Sequence, residues 1–351
     1  MTSSRRFLVF QTAFPGDVLL TLPLLQQLRR SFPGAHIACV TIPLAGELLR
    51  NHPAVSTRIL FDKRGEQRGV GGIFNLARRL RSDGYDTAIV PHRSLRSALA
   101  VALAGIPRRI GFDRSAGRIL LTDIVRYDNT MHEIDRNLSL LGPLGLSADT
   151  QDLPSLYPGS EETARVDEFL RQWHSAGGQA ASLVALAPGS VWATKRWPAE
   201  QYSALGRLLT DRGFSLVLLG SADDAALCAE VVSAVGSGRA TSAAGKLSLL
   251  EAAELIRRCA MLVSNDSAPM HLAVAMRVPV IAIFGPTVPA FGFAPRGPRD
   301  SVIGREGLAC RPCSIHGGAR CPIDTFECML SITAAQVFAR AEPILQQHVL
   351  G

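Results

Sequence analysis

The chain has 351 residues, of which 37 are Lys or Arg, 30 are Asp or Glu and 47% are hydrophobic, for a formal charge of +7. That hydrophobic share excludes a disordered protein, and the length suits two domains of similar size, each able to bury its own core. The charge is uneven: residues 1–160 carry 20 basic and 13 acidic side chains and residues 161–351 carry 17 of each, so the whole excess falls in the first half. The arginines form scattered pairs such as Arg78-Arg79 and Arg108-Arg109, and aromatics make up only 6% of the chain, which suits neither base stacking nor an RNA-recognition sheet. No nucleic-acid partner is expected.

No segment approaches the ~20 apolar residues that span a bilayer. Pro15-Gly16-Asp17 breaks the apolar stretch after Arg5-Arg6 that would otherwise imitate a signal peptide, so a cytoplasmic protein is expected. In that compartment seven cysteines point to free, redox-active or metal-bound thiols rather than a disulfide framework.

Short β-branched runs alternate with longer amphipathic ones, the pattern of α/β architecture with parallel sheets. The first strands are expected at residues 7–11, 37–42, 58–61 and 87–91. Between the first two, Leu19, Leu22, Leu25 and Leu28 place one apolar stripe on a helix over 18–31. The periodicity lapses over 144–160, a stretch rich in Gly, Pro, Ser and Asp that reads as a linker. It restarts with strands expected at 182–187, 215–219, 261–264 and 280–284. Two successive doubly wound units follow, and such sheets bind ligands at the carboxyl ends of their strands. No internal sequence repeat is found.

Four segments carry candidate chemistry. The first strand runs into Thr12-Ala13-Phe14-Pro15-Gly16-Asp17 and a helix. Asp17 is either a helix cap or a general base, held ionised with a lowered pKa by the helix dipole and backbone amides. No G-x-G-x-x-G follows that strand, so the dinucleotide fingerprint is missing. The second half opens on Ala187-Pro188-Gly189-Ser190 and then Lys195-Arg196-Trp197-Pro198. Lys195, one of only three lysines, is either an exposed residue beside a packing Trp or the cation of a diphosphate site. The run from Met261 to Ala273 passes from a strand through Asn265-Asp266-Ser267 into a helix bearing His271, where free amides suit an anion. There Asp266 is a cap or a ligand contact, and His271 a core or a site residue; Phe284-Gly285-Pro286-Thr287 ends the next strand on the same edge. Finally Cys310, Cys313, Cys321 and Cys328 lie within 19 residues, as a four-thiolate zinc or iron site would, although the intervals do not match a zinc ribbon. Such a closed site would be structural.

Read together, these segments resemble glycosyltransferase family 9, the ADP-heptose:lipopolysaccharide heptosyltransferases. The resemblance rests on Phe14-Pro15-Gly16-Asp17 with Leu22-Pro23, Arg109-Ile110-Gly111-Phe112, His132-Glu133, Ala187-Pro188-Gly189-Ser190 with Lys195-x-Trp197-Pro198, Ser264-Asn265-Asp266-Ser267 with Met270-His271, and Phe284-Gly285-Pro286-Thr287. It implies the α/β GT-B fold, two Rossmann-like doubly wound domains facing a central cleft. Residues 1–155 would bind the acceptor, and residues 156–351, including the Cys-rich segment 310–328 and a C-terminal helix, would bind the nucleotide sugar. It further implies an inverting enzyme that needs no cofactor for transfer, with zinc or iron at the cysteines as a structural addition.

By motif position Asp17 would be the base, with Gly16 on the acceptor side, and Lys195 would neutralise the departing diphosphate. Ser190, Asp266, Ser267, Ala268 and His271 would line the donor site, and Asp223 or Asp224 is a positional choice for the ribose. Ser267-Ala268-Pro269 departs from the Thr-Gly or Ser-Gly of some relatives and removes one backbone donor. The implied partners are ADP-heptose, a Kdo-lipid A or heptosyl-Kdo-lipid A acceptor, and the cytoplasmic face of the inner membrane, held peripherally. The alternatives are another nucleotide sugar or a protein acceptor on the same fold, a scaffold that binds without catalysing, and a nicotinamide-dependent oxidoreductase, against which the missing fingerprint argues.

Overall fold

The computed structural model describes residues 5–179 and 181–350 and divides into two compact units, one ending at Tyr157 and the other beginning at Pro158. The first is built on six parallel strands: β1 (Arg6–Phe10), β2 (His36–Thr41), β3 (Thr57–Leu60), β4 (Thr87–Val90), β5 (Arg108–Phe112) and β6 (Asp123–Val125). Their order is 3-2-1-4-5-6. Phe7 to Phe10 of β1 and all of β4 are buried, as expected of parallel strands covered on both faces.

The helix after β1 runs over Pro15–Ser31. It begins at Pro15 because a first-turn proline forfeits no helical hydrogen bond and its fixed φ suits the helix. Leu19, Leu22, Leu25 and Leu28 are all fully buried on it, as the three-residue spacing predicts.

The expected linker is not loose. Gln26 donates to Leu153 O (3.0 Å) and accepts from the Ser155 amide (2.9 Å), while Gln27 accepts from the Asp149 amide (3.1 Å). The ring of Tyr157 meets His52 edge-on at 5.1 Å. Periodicity lapses there because the segment is an extended strap, tied by side chains of the first helix rather than by a ladder of its own.

The second unit repeats the topology. β7 (Leu183–Ala187), β8 (Ser215–Leu218), β9 (Ala240–Ser242), β10 (Cys259–Asn265), β11 (Val280–Ile283) and β12 (Ser301–Ile303) are all parallel. Their order, 12-11-10-7-8-9, is the first unit's order read from the opposite edge. β10 is buried along its whole length, as the sheet's centre should be. Beside the sheet, Trp197, Leu205 and Leu209 share a core with Val337, Ala341 and Leu345 of the C-terminal helix Ala334–Leu350.

Four strands go beyond the sequence expectation: β5, β6, β9 and β12. In β5 two arginines interrupt the apolar run, and the others are three-residue strands at sheet edges, too short for an alternation to register.

Candidate active site

Asp17 lies where the chain leaves β1, but it is not the helix cap. Phe14 occupies the cap position in extended conformation, and Asp17, three residues on, reaches back so that its Oδ2 accepts from the Phe14 amide at 3.0 Å. The expected fall in pKa is also overturned. Burial, reinforced by the charge of Glu133, raises the Asp17 carboxyl to about 6, outweighing the backbone amides and Arg93, which act the other way. Dipole and amides are present as foreseen; a sequence does not show how much water the surrounding loops remove. Gly16 is the second residue of the same helix and is partly buried beside it.

The loop before Asp17 is held from both sides. Lys63 donates to Thr12 O at 2.5 Å, and the Thr12 hydroxyl lies 3.1 Å from His92 Nδ1, which is itself 2.8 Å from the Ser97 hydroxyl. Burial, with Lys63 and Arg93 nearby, depresses His92 to about 4, so it is neutral at physiological pH. Burial and the guanidinium groups of Arg64 and Arg96 lower Lys63. Glu133, which helps raise Asp17, accepts from Arg136 Nη1 (2.8 Å) and the Tyr127 hydroxyl (2.9 Å), and the Arg93 guanidinium stacks 4.2 Å over the Tyr127 ring. The sequence offers His132-Glu133 only as part of a resemblance; the side chains give Glu133 the task of tuning Asp17.

The second unit gathers its candidate residues at the carboxyl ends of β7, β10 and β11. Lys195 is buried, not exposed, and its Nζ donates to Asp266 Oδ2 at 2.6 Å. The same oxygen accepts from the Thr287 hydroxyl at 2.7 Å. Asp266 is therefore no cap: Ser267 takes that position for the helix Ala268–Ala275, with Pro269 in the first turn, where its missing amide breaks no helical bond. Ser190 and His271 are buried, and Ser267 and Ala268 partly so. The Ser190 carbonyl accepts from Arg196 Nε at 2.8 Å.

Asn265 joins these loops. Fully buried, it donates to Pro188 O (2.8 Å) and accepts from the Trp197 amide (3.1 Å) and the Tyr202 hydroxyl (3.2 Å). Of the two positional choices for the ribose, Asp224 has its Oδ2 accept from the amide (2.9 Å) and hydroxyl (2.7 Å) of Ser221. Its carboxylate also fills the space beside Gly189, where a Cβ would lie 2.3 Å from it. Asp223 is exposed on the neighbouring turn.

The cysteine segment does not assemble a metal cage. Cys310, Cys313 and Cys321 lie near enough to Cys328 to raise its thiol, behind burial as the larger cause, to about 11. Yet among the described residues no three His, Cys, Asp or Glu converge as an ion's ligands would. Cys313 Sγ donates to Cys310 O, Cys321 Sγ accepts from the Phe326 amide, and Cys328 is buried. Adjacent spacing brought the thiols to one neighbourhood without aiming them at one point, so the four-thiolate expectation is not met.

The segment instead braces the loops around Lys195. Arg311 donates from Nε to Gly285 O (2.7 Å) and from Nη2 to Thr287 O (3.0 Å), and the Cys313 amide donates to Pro286 O (2.9 Å). Farther along, the Gly318 amide donates to the Thr194 hydroxyl at 2.7 Å, and the Thr194 amide donates to Gly318 O at 3.1 Å. Gly317, at φ +83°, lies so close that a Cβ there would meet Lys195 Cγ at 3.1 Å. Thr287, Asn265 and Arg311 are the residues that sequence reasoning left without roles. Only their place inside or beside the quoted motifs could have drawn attention to them.

Comparison with known proteins agrees with this layout. The chain is 29% identical over 294 residues to lipopolysaccharide heptosyltransferase 2 of Escherichia coli, covering 82% of this chain and 84% of that protein. It superposes on a family 9 glycosyl transferase from Veillonella parvula with a TM-score of 0.87 at 25% identity, covering 99% of both chains. On the Escherichia coli ADP-heptose lipopolysaccharide heptosyltransferase II the TM-score is 0.79 at 26% identity, over 98% of this chain and 99% of the other. These likenesses identify the two Rossmann-like units as the GT-B fold. The model of glycosyltransferase family 9 (heptosyltransferase) matches residues 73–318, and the chain belongs to that family.

Proposed function

We propose that this protein transfers heptose from ADP-heptose to the inner core of lipopolysaccharide, on a Kdo-lipid A acceptor with or without a first heptose. Family membership supplies the reaction class. The observation that carries the mechanism is the raised pKa of Asp17 at the carboxyl edge of the first sheet. A base must be ionised when substrate arrives and still hold a proton during attack; a pKa near 6 meets both needs at neutral pH. The Phe14 amide fixes one carboxylate oxygen, leaving Oδ1 for the acceptor hydroxyl. Attack on the anomeric carbon opposite the departing ADP then inverts the sugar.

On the donor side Lys195 meets the charge that grows on the leaving diphosphate, helped by amides at the start of the helix Ala268–Ala275. Before the donor arrives, Asp266 holds Lys195 in place, so a buried ammonium is neither unpaired nor free to wander. Ser190, Ser267, Ala268 and His271 complete the donor surface. Transfer itself uses acid–base and electrostatic groups of this chain; no step is assigned to the cysteines. We infer that the protein works peripherally at the cytoplasmic face of the inner membrane, where such an acceptor would be anchored. Among the described residues no helix is long and apolar enough to cross a membrane.

The test is an assay with ADP-heptose and defined Kdo-lipid A acceptors carrying zero or one heptose. Transfer to one of them supports the reading and fixes the position made. No transfer to either, or thermal stabilisation by NAD rather than ADP, sinks it.

A further inference from the structure

Around the carboxyl edge of the first unit's sheet, each of the five segments that follow β1 to β5 presents an exposed apolar side chain. These are Phe14, Leu44, Val70, Leu95 and Ile119, with exposures from 51% at Leu95 to 90% at Ile119. Scattered exposed apolar residues are ordinary, but one on every crossover at the same edge is a pattern. Each stands on a loop or first helical turn and keeps half or more of its surface exposed, so packing inside the unit does not explain it. In the first turn of the helix Gly69–Asp83, Val70 stays 66% exposed, whereas Gly72, Ile73, Leu76, Ala77 and Leu80 farther along the same helix are buried.

The same segments carry arginines among the apolar residues. Arg64 lies 5.9 Å over the Phe14 ring, Arg96 follows Leu95, and Arg118 precedes Ile119. The segments after β4 and β5 are neighbours in space as well. The Ala116 amide donates to Arg93 O at 3.0 Å, and Leu95 Cδ1 lies 3.3 Å from where a Cβ on Gly117 would sit. Lys63 lies within electrostatic reach of Arg64, Arg96 and Asp17. Apolar side chains set among guanidinium groups complement one kind of surface, a layer with anionic headgroups above hydrocarbon.

We infer that this edge of the first unit docks on an anionic lipid bilayer, its apolar residues entering the boundary between headgroups and acyl chains while the arginines meet lipid phosphates. The inference deepens the proposed function, since Asp17 shares the edge and would face sugars attached to a lipid, but its physical test needs no substrate. Full-length protein is sedimented with vesicles of phosphatidylethanolamine and phosphatidylglycerol, and with neutral phosphatidylcholine vesicles. Binding to the anionic vesicles, weakened roughly tenfold in the V70S/I119S double variant, is expected. A gain-of-signal variant, Ile119→Trp, should acquire fluorescence quenching by brominated acyl chains that the parent lacks.

Equal binding to both vesicle types, equal binding by the double variant, or no added quenching overturns the inference. So does a parent dimer, seen by sedimentation velocity, that V70S/I119S dissolves, which would assign the face to a second copy. Transfer separates this result from the function itself. With docking as inferred, V70S/I119S keeps activity on a deacylated, water-soluble acceptor and loses it on a vesicle-bound one. If the parent transfers to neither, the proposed function fails while the vesicle result stands.

Discussion

The two units share a strand order and place their candidate residues at the same edge, yet they treat charge in opposite ways. In the first, a carboxyl among several cations is raised to about 6 by burial and Glu133. In the second, a cation is buried and matched by one carboxylate oxygen, which Thr287 also holds. A common scaffold therefore fixes where a site forms and leaves its chemistry to a few loop residues. One site is prepared to exchange a proton; the other presents a cation held by its neighbours.

Replacing Asp17 should break the contrast most severely. Asp17→Asn keeps the bond from the Phe14 amide in form and is expected to lower kcat about 10³-fold while ADP affinity, read by calorimetry, changes less than threefold. An active variant removes Asp17 as the base. Lys195→Ala should cost about 10² in kcat and also raise the KM for the donor, because it removes the cation and strands a buried carboxylate. If only KM changes, Lys195 binds the ground state and has no special part in departure.

The pH profile sharpens the comparison. Asp17 must be ionised to act, so kcat/KM for the parent should fall as pH drops through about 6. Glu133→Gln removes a neighbouring negative charge and should move that limb to lower pH; an unmoved limb would leave burial alone as the cause. Stability should run the other way from activity. A carboxyl raised in the folded state favours folding most fully below its unfolded pKa, near 3.8, and that contribution is lost as pH rises through about 6. Asp17→Asn should thus melt above the parent at pH 8 and close to it at pH 4.

The smallest effect concerns salt. Binding of a phosphorylated acceptor to the first unit should weaken more between low and physiological ionic strength than ADP binding does, since the whole charge excess lies in residues 1–160. Equal slopes would make the asymmetry compositional only.

Much of this arrangement is legible in the chain. Eight of the twelve strands among the described residues follow from apolar runs, and their carboxyl ends led directly to Asp17, Ser190, Lys195 and Asp266. What escaped depends on distance across the fold. Whether Asp17 rises or falls is decided by burial and then by Glu133, more than a hundred residues away in sequence, neither of which a local motif encodes. Lys195 reads equally well as an exposed residue beside a packing Trp or as the cation of a diphosphate site until it is seen buried against Asp266. The cysteine spacing suggested a ligand set because intervals carry no information about where thiols point. The repeated topology left no sequence repeat, since parallel strands of either unit require only apolar residues of suitable size.

The brace from Arg311 to Gly318 has one more consequence. Arg311 and Cys313 fasten the loop that carries Thr287, and Gly318 fastens the turn that carries Lys195, so both ends of the Lys195–Asp266–Thr287 cluster hang from a single short strap. A cut between Cys313 and Gly317 would leave each anchor attached to its own loop but sever the tie between them. Protease nicking at that point, with the fragments still associated, should then report how far donor affinity depends on the tie between those two loops.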